Sequence, residues 1–217
     1  IRENQNLSAQ QALDELMKII QQKDKKFMKL GNIVSIELLE ETLKSFDFGK
    51  LDKHSQSRTL TQLYEKDFRN LTIQNCSVLT DNILLDKFNS KLLTRIDLKG
   101  CTKITGRMIS SVWKNSIELE ILNVSYTRIK KLAEHKVFGT DVLSVVNLRE
   151  LICIGCRNLS CIKIYAPKLN KISIHGSPLN QSLDIYGAKL TKVDIYGIIK
   201  EIETKKVCFY ECFGDTP

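Results

Sequence analysis

Leu151-Ile152-Cys153-Ile154-Gly155-Cys156, Ile162-Lys163-Ile164-Tyr165, Ile172-Ser173-Ile174-His175-Gly176, Leu183-Asp184-Ile185-Tyr186-Gly187 and Val193-Asp194-Ile195-Tyr196-Gly197 are variants of one phrase. Their anchors advance by 11, 10, 11 and 10 residues, so two phrases make a period of 21. A fixed period of about 20 residues marks a chain that stacks on itself as a solenoid. The phrases alternate: those at 151, 172 and 193 line one face, and those at 162 and 183 line the other.

Upstream the phrase recurs at longer intervals. Leu71-Thr72-Ile73-Gln74-Asn75-Cys76 precedes Leu79-Thr80-Asp81, and Ile96-Asp97-Leu98-Lys99-Gly100-Cys101 precedes Ile104-Thr105-Gly106. Leu122-Asn123-Val124-Ser125-Tyr126-Thr127 precedes Ile129 and Leu132, and the anchors advance by 25, 26 and then 29 to Leu151. Successive strand residues face opposite sides, so the Leu, Ile and Val anchors point into a core and the residues between them point out. After each strand the chain turns with its polar backbone buried. A small residue at that corner, Cys76, Cys101 or Cys156, fits the stack and can contact the neighbouring turn. The longer intervals leave room for a helix on the return path, as in 106–114, whereas the 21-residue interval returns through a second strand. The spacing predicts one parallel sheet from strands at 71, 96, 122, 151, 172 and 193, and a short helix or loop over 133–147.

Leu-x-Leu-x-x-Cys with Ile-Thr a few residues on resembles the cysteine-containing class of leucine-rich repeats. The 21-residue section is similar to the short repeats of bacterial surface and effector proteins such as internalins. The resemblance covers residues 68–200 and implies an α/β fold, a leucine-rich-repeat solenoid with a parallel concave β-sheet over 68–217. An α-helical N-terminal cap over 1–67 and a C-terminal cover over 203–217 would shield its ends.

Within that cap, Leu13, Leu16, Met17, Ile20, Phe27 and Leu30 follow helical spacing behind Ser8, a candidate N-cap. Gly31-Asn32 predicts a break. Ile33, Ile36, Leu38, Leu39, Leu43 and Phe46 predict a second helix, and 57–64 a third. The run Ile36-Glu37-Leu38-Leu39-Glu40-Glu41-Thr42-Leu43-Lys44-Ser45-Phe46-Asp47 looks like the start of an F-box, a family in which a Glu-Leu-Leu helix leads into a Leu-Asp pair ahead of leucine-rich repeats. Val34-Ser35 stands where the usual Leu-Pro opening would be, and the usual tryptophan is missing. An F-box-like segment at 33–64 implies a Skp1-type adaptor as partner and a substrate-receptor role in an SCF-type ubiquitin ligase; the other reading of 33–64 is a plain capping helix.

The formal net charge is +8. Residues 1–67 carry 11 basic and 11 acidic residues, so 68–217, with 22 and 14, hold the whole excess. A basic surface of this kind attracts nucleic acid, anionic lipid or an acidic protein, or is a lysine-rich solvated face. The absence of an Arg-rich cluster with interleaved aromatics favours the solvated face. No apolar run approaches the roughly 20 residues that span a bilayer. The opening at Ile1 suggests a fragment or a processed chain. Seven scattered cysteines, an odd count, predict free thiols in a reducing, cytoplasmic compartment, or in the host cytosol for a secreted bacterial effector.

Cys153-x-x-Cys156, with Cys161, Cys208 and Cys212, has the residue types of a redox or zinc site, but an anchor and a corner position already account for Cys153 and Cys156. His54, His135 and His175 show no ligand spacing, and no phosphate loop, nucleophile elbow or zinc-protease motif occurs. No catalytic residue, cofactor or metal is expected. The candidate partner-binding residues are the outward positions of the predicted sheet: Arg95, Asp97, Lys99, Ile121, Asn123, Glu150, Ile152, Ile154, Lys171, His175, Lys192 and Tyr196. Ser125, Ser173 and Asp194 stand among them. Isoleucines 121, 152 and 154 at the centre are what a protein-binding face offers, unless another part of the chain covers them. Tyr165 and Tyr186 fall on the other face. The expectation is a non-catalytic module that binds a protein.

Overall fold

A computed structural model describes residues 30–64, 66–88, 90–132, 143–179, 182–186, 190–194 and 207–210, with positions 11, 14, 17 and 18 ahead of them. The chain is mixed α/β. Six short strands, β1 (Asn70–Thr72), β2 (Arg95–Asp97), β3 (Ile121–Asn123), β6 (Glu150–Ile152), β8 (Lys171–Ser173) and β10 (Lys192–Asp194), form one sheet in that order, every pair parallel. The register aligns Leu71, Ile96, Leu122, Leu151, Ile172 and Val193 in one row. These are the six anchors predicted from the spacing. The first five are at most 1% exposed. Each such side chain contributes about 1.5–3 kcal/mol on leaving water. A second buried row, Ile73, Leu98, Val124, Cys153 and Ile174, follows two residues later.

The return paths are of two kinds. The 25- and 26-residue intervals carry helices, α3 (Asp81–Lys87) and α4 (Gly106–Asn115), capped by the Thr80 and Thr105 hydroxyls, whereas the described part of the 29-residue interval is extended. Later ones carry strands of a second parallel sheet: β4 (Lys131–Leu132), β7 (Cys161–Tyr165), β9 (Ser182–Tyr186) and β11 (Val207–Tyr210), with β5 (Leu143–Ser144) also on β7. Leu132, Ile162, Ile164, Leu183 and Ile185 join the same core as the first sheet's anchors. Three elements differ from expectation. Within the expected helix or loop of 133–147, 143–144 are strand β5, and 133–142 lie outside the described residues. Of the expected C-terminal cover at 203–217, residues 207–210 are a strand paired with β9, and the rest lies outside the described residues. Lys131–Leu132 form a strand too short to show an alternating pattern.

The corners after the first five strands of this sheet are built alike. Asn75, Gly100, Tyr126, Gly155 and Gly176 all take left-handed backbone, with φ between 56 and 75°. Glycine occupies three of the five because only it enters that region freely. At Gly155 a methyl group would also come within 2.6 Å of the Tyr126 ring. The next residue is a small donor. Cys101 Sγ donates to the Ile73 carbonyl at 3.0 Å, Cys156 Sγ to Val124 at 3.1 Å, and Ser177 Oγ to Cys153 at 2.7 Å, each reaching the preceding strand. Thr127 Oγ1 reaches the Val124 carbonyl of its own turn. Burial raises the thiols of Cys76, Cys101, Cys153 and Cys156, so they remain protonated, and those of Cys76, Cys101 and Cys156 donate hydrogen bonds.

The first corner has no preceding strand, and the helices at the N-terminal side supply its contacts. Helix α1 (Leu30–Ser45) buries Leu39 and Leu43, and Phe46 and Phe48 continue that packing onto β1. Glu40, buried on this helix, accepts the Arg69 N–H at 2.6 Å, the Asn70 N–H at 2.9 Å and the Asn70 side-chain amide at 2.8 Å. One carboxylate thereby caps the edge of the sheet. Gln56 on α2 (Lys53–Leu63) accepts from the Ser77 N–H and hydroxyl and from the Cys76 thiol, while donating to the Phe48 and Leu51 carbonyls. Helix α1 runs through Gly31-Asn32, where a break is expected. Both lie in its first turn, where glycine and asparagine are tolerated. Helix α2 starts four residues ahead of the expected 57–64, because Asp52 accepts the His54 and Ser55 N–H groups as an N-cap. Of the first expected helix, positions 11, 14, 17 and 18 are helical, and Met17 packs on the core; the rest of 7–29 lies outside the described residues. No helix among the described residues is long and apolar enough to cross a membrane.

Two stability tests follow from this packing. Glu40→Ala leaves two strand-edge N–H groups without an acceptor and should cost about 2–4 kcal/mol in urea unfolding. The second concerns pH. Burial pushes the Cys101 thiol from an ordinary 9.0 up to about 12. Above the ordinary value the unfolded chain releases a proton that the folded chain keeps. Stability is therefore complete below about pH 9 and falls above it, by up to about 1.4 kcal/mol per pH unit for each such thiol. Cys101→Ser, whose hydroxyl keeps its proton, should flatten that fall.

Candidate functional site

The outward residues of the first sheet stand in three rows across neighbouring strands. One row runs Asn70, Arg95, Ile121, Glu150, Lys171 and Lys192, and the next Thr72, Asp97, Asn123, Ile152, Ser173 and Asp194. Beyond the strand ends the ladder continues: Gly100 N–H bonds the Ser125 carbonyl, Tyr126 N–H bonds Ile154, and Gly155 N–H bonds His175, at 2.8–2.9 Å. Lys99, Ser125, Ile154 and His175 therefore make a third row. With strands about 4.8 Å apart, the face offers a regular grid of side chains.

This grid brings most of the predicted residues together. Ile121, Ile152 and Ile154 are half-buried, and Ile154 follows Ile152, the last residue of β6, by two positions. Asn123 and Glu150 are also half-buried, while Lys99, Lys171 and Lys192 are exposed. Lys99 lies over the exposed Tyr126 ring, its Nζ 5.8 Å from the centroid. Tyr196 lies outside the described residues.

Asp97 is a correction. It sits on the outward face but is only 5% exposed, and its carboxylate is already used. Oδ1 accepts the Lys99 N–H at 3.2 Å, and Oδ2 accepts the Gln74 amide at 3.3 Å with the Arg95 guanidinium 3.8 Å away. Ser125 is spent similarly: its hydroxyl donates to Asn123 Oδ1 and accepts the Ile154 N–H. Both hold the face in shape and leave little for a partner to touch.

His175 gains a neighbour that its local sequence does not supply. Its Nδ1 lies 3.1 Å from Asp194 Oδ2, both side chains about 40% exposed. Asp194 follows by 19 residues, the 21-residue period less one outward step, so the repeat length held the signal. The resulting surface is an apolar centre at Ile152 and Ile154, bounded by Asn123, the His175–Asp194 pair and the lysines. This arrangement can bury an apolar group and hydrogen-bond around it.

The remaining candidates fall elsewhere. Cys153 and Cys156 lie in the core, and Cys161 is buried with its sulfur 3.1 Å from the Ser182 hydroxyl. Among the described residues no group of three or more His, Cys, Asp or Glu side chains is placed to hold a metal. His54 is exposed on α2, and His135 and Cys212 lie outside the described residues. In the second sheet Tyr165, Tyr186 and Tyr210 stand in register on β7, β9 and β11. Tyr165 and Tyr186 are at least partly exposed, and Lys163 pairs loosely with Asp184 at 3.8 Å.

No protein-family model matches this sequence, and no curated protein matches it. The sorting of the face into spent and available groups can be tested by stability alone. Asp97→Ala should cost about 1–3 kcal/mol, since it strands the amide and guanidinium around it. Lys171→Ala and Lys192→Ala should stay within about 0.5 kcal/mol of the parent in the same thermal unfolding experiment.

Proposed function

We propose that the chain is a leucine-rich-repeat solenoid that binds a partner protein, without catalysis, through the outward face of its six-stranded sheet. Support for the solenoid comes from six parallel strands in chain order, one row of anchors, and corners of a single design at intervals of 21 to 29 residues. The observation that carries the binding reading is the partly buried Ile152–Ile154 pair at the middle of a face otherwise rimmed by polar and charged groups. A desolvated apolar centre inside a polar rim is how protein interfaces are composed. The mixed charge of the face, with Glu150 and Asp194 among the lysines, fits a protein better than a nucleic acid, whose phosphates favour one sign. The 21-residue repeats fit a bacterial effector acting on a host protein in the host cytosol.

A second reading, the substrate receptor of an SCF-type ubiquitin ligase, draws on α1. There Glu37, Leu38 and Glu41 are exposed, with Leu38 at 49%, and could meet an adaptor while Glu40 is held by the sheet edge. Co-purification with the adaptor through 33–64 would favour this reading, and steep weakening of binding by salt would favour nucleic acid.

The test is the pair Ile152→Asp with Ile154→Asp. It should weaken binding of whichever protein the parent chain captures by about 30-fold or more, while circular dichroism stays unchanged. Undiminished binding by the folded double variant would place the interface on another surface.

A further inference from the structure

The two edges of the six-stranded sheet are finished differently. At the β1 edge Glu40 takes the Arg69 and Asn70 N–H groups, and α1 packs against the strand. At the β10 edge the anchor row ends on Val193, which is 41% exposed where the other five anchors are at most 1%. Lys192 donates its N–H to the Asn170 carbonyl, and Asp194 accepts the Ile174 N–H at its carbonyl. In a parallel ladder these alternate residues face the neighbouring strand β8, so the N–H and C=O of Val193 point to the side on which no described residue pairs with β10. An edge of this kind is a template for another strand.

The edge sequence states which strand fits. Lys192-Val193-Asp194 is self-complementary when two copies run antiparallel about a twofold axis through Val193. The two valines then form a hydrogen-bonded pair, exchanging both N–H···O=C bonds. Lys192 stands opposite Asp194 of the partner subunit, and Asp194 opposite Lys192 of the partner subunit, in the closer, non-hydrogen-bonded positions. The axis is perpendicular to the sheet, so both outward faces stay on one side and the two cores become continuous at the valine pair. Asp194 keeps His175 on Oδ2 and has Oδ1 for the incoming ammonium. Such a contact is isologous and closes at two subunits.

We propose that the chain self-associates as a twofold dimer through antiparallel pairing of its β10 edges, forming one continuous twelve-strand sheet from 6 strands of each copy. The dimer sets two outward faces side by side, so one partner could meet both.

The experiment uses the 217-residue chain and sedimentation across a wide concentration range. The parent should show a monomer–dimer equilibrium. Lys192→Asp places two aspartates opposite each other at both sites, and Asp194→Lys does the same with lysines. Each should weaken self-association by about tenfold or more, as two cross-strand pairs turn repulsive. Mixing the two variants restores both opposite-charge pairs and should give a heterodimer as tight as the parent dimer. The double variant, with the charges exchanged, should dimerise like the parent. A parent that stays monomeric throughout overturns the proposal. So does a dimer unmoved by the single exchanges, or a mixture in which no heterodimer forms.

Discussion

A backbone that turns inside an apolar core must find partners for the carbonyls it turns through, because each one left alone costs as much as a lost hydrogen bond. In this protein that constraint falls on the residue after each left-handed corner. Cys101, Cys156 and Ser177 donate to carbonyls of the preceding strand, and Thr127 to one of its own turn. The residue there must be small enough for the stack and must hold a proton. A thiol meets both demands when burial keeps it neutral, which explains why so many of the cysteines lie at corners or anchors and not in pairs.

The same constraint explains the helices beside β1. A first strand has no predecessor, so its corner lacks the groups that later corners find on the previous strand. Gln56 stands in at that place, presenting its amide carbonyl to Cys76 and Ser77, and Glu40 stands in for the missing strand along the edge. Both polar groups are buried in doing so. The far edge has no such substitute among the described residues, and the exposed Val193 is the result.

Much of this is legible in the residues alone. The anchors Leu71 to Val193 follow from period and alternation, as do the extended return paths of the 21-residue intervals, but not the extended return already present in the 29-residue interval. What stayed hidden depends on contacts between distant segments. Asp97 reads as an outward, available carboxylate until Gln74 and Arg95 of neighbouring positions close over it. His175 reads as isolated because its carboxylate lies 19 residues away, on the next strand. Strands β4 and β5 are two residues each, below the length at which a pattern can be seen, and β11 is recognisable only through its pairing with β9. The cap at Asp52 was missed although its signal was local: an aspartate two and three residues ahead of the N–H groups it accepts.

In the six-stranded sheet every strand pairs with the one before it at the same level of the chain, and with the one after, never with one far removed in sequence. Pairings therefore span 21 to 29 residues however long the array becomes. Loop-closure entropy rises only slowly over such lengths, and order can spread from one strand to its neighbour without a single long-range nucleus. The mechanical counterpart is sequential peeling. On the proposed solenoid reading, drawing the chain from its C-terminal side would release one turn at a time, each about 70 Å of extended backbone for a 21-residue repeat, while the helix-covered edge held to the last.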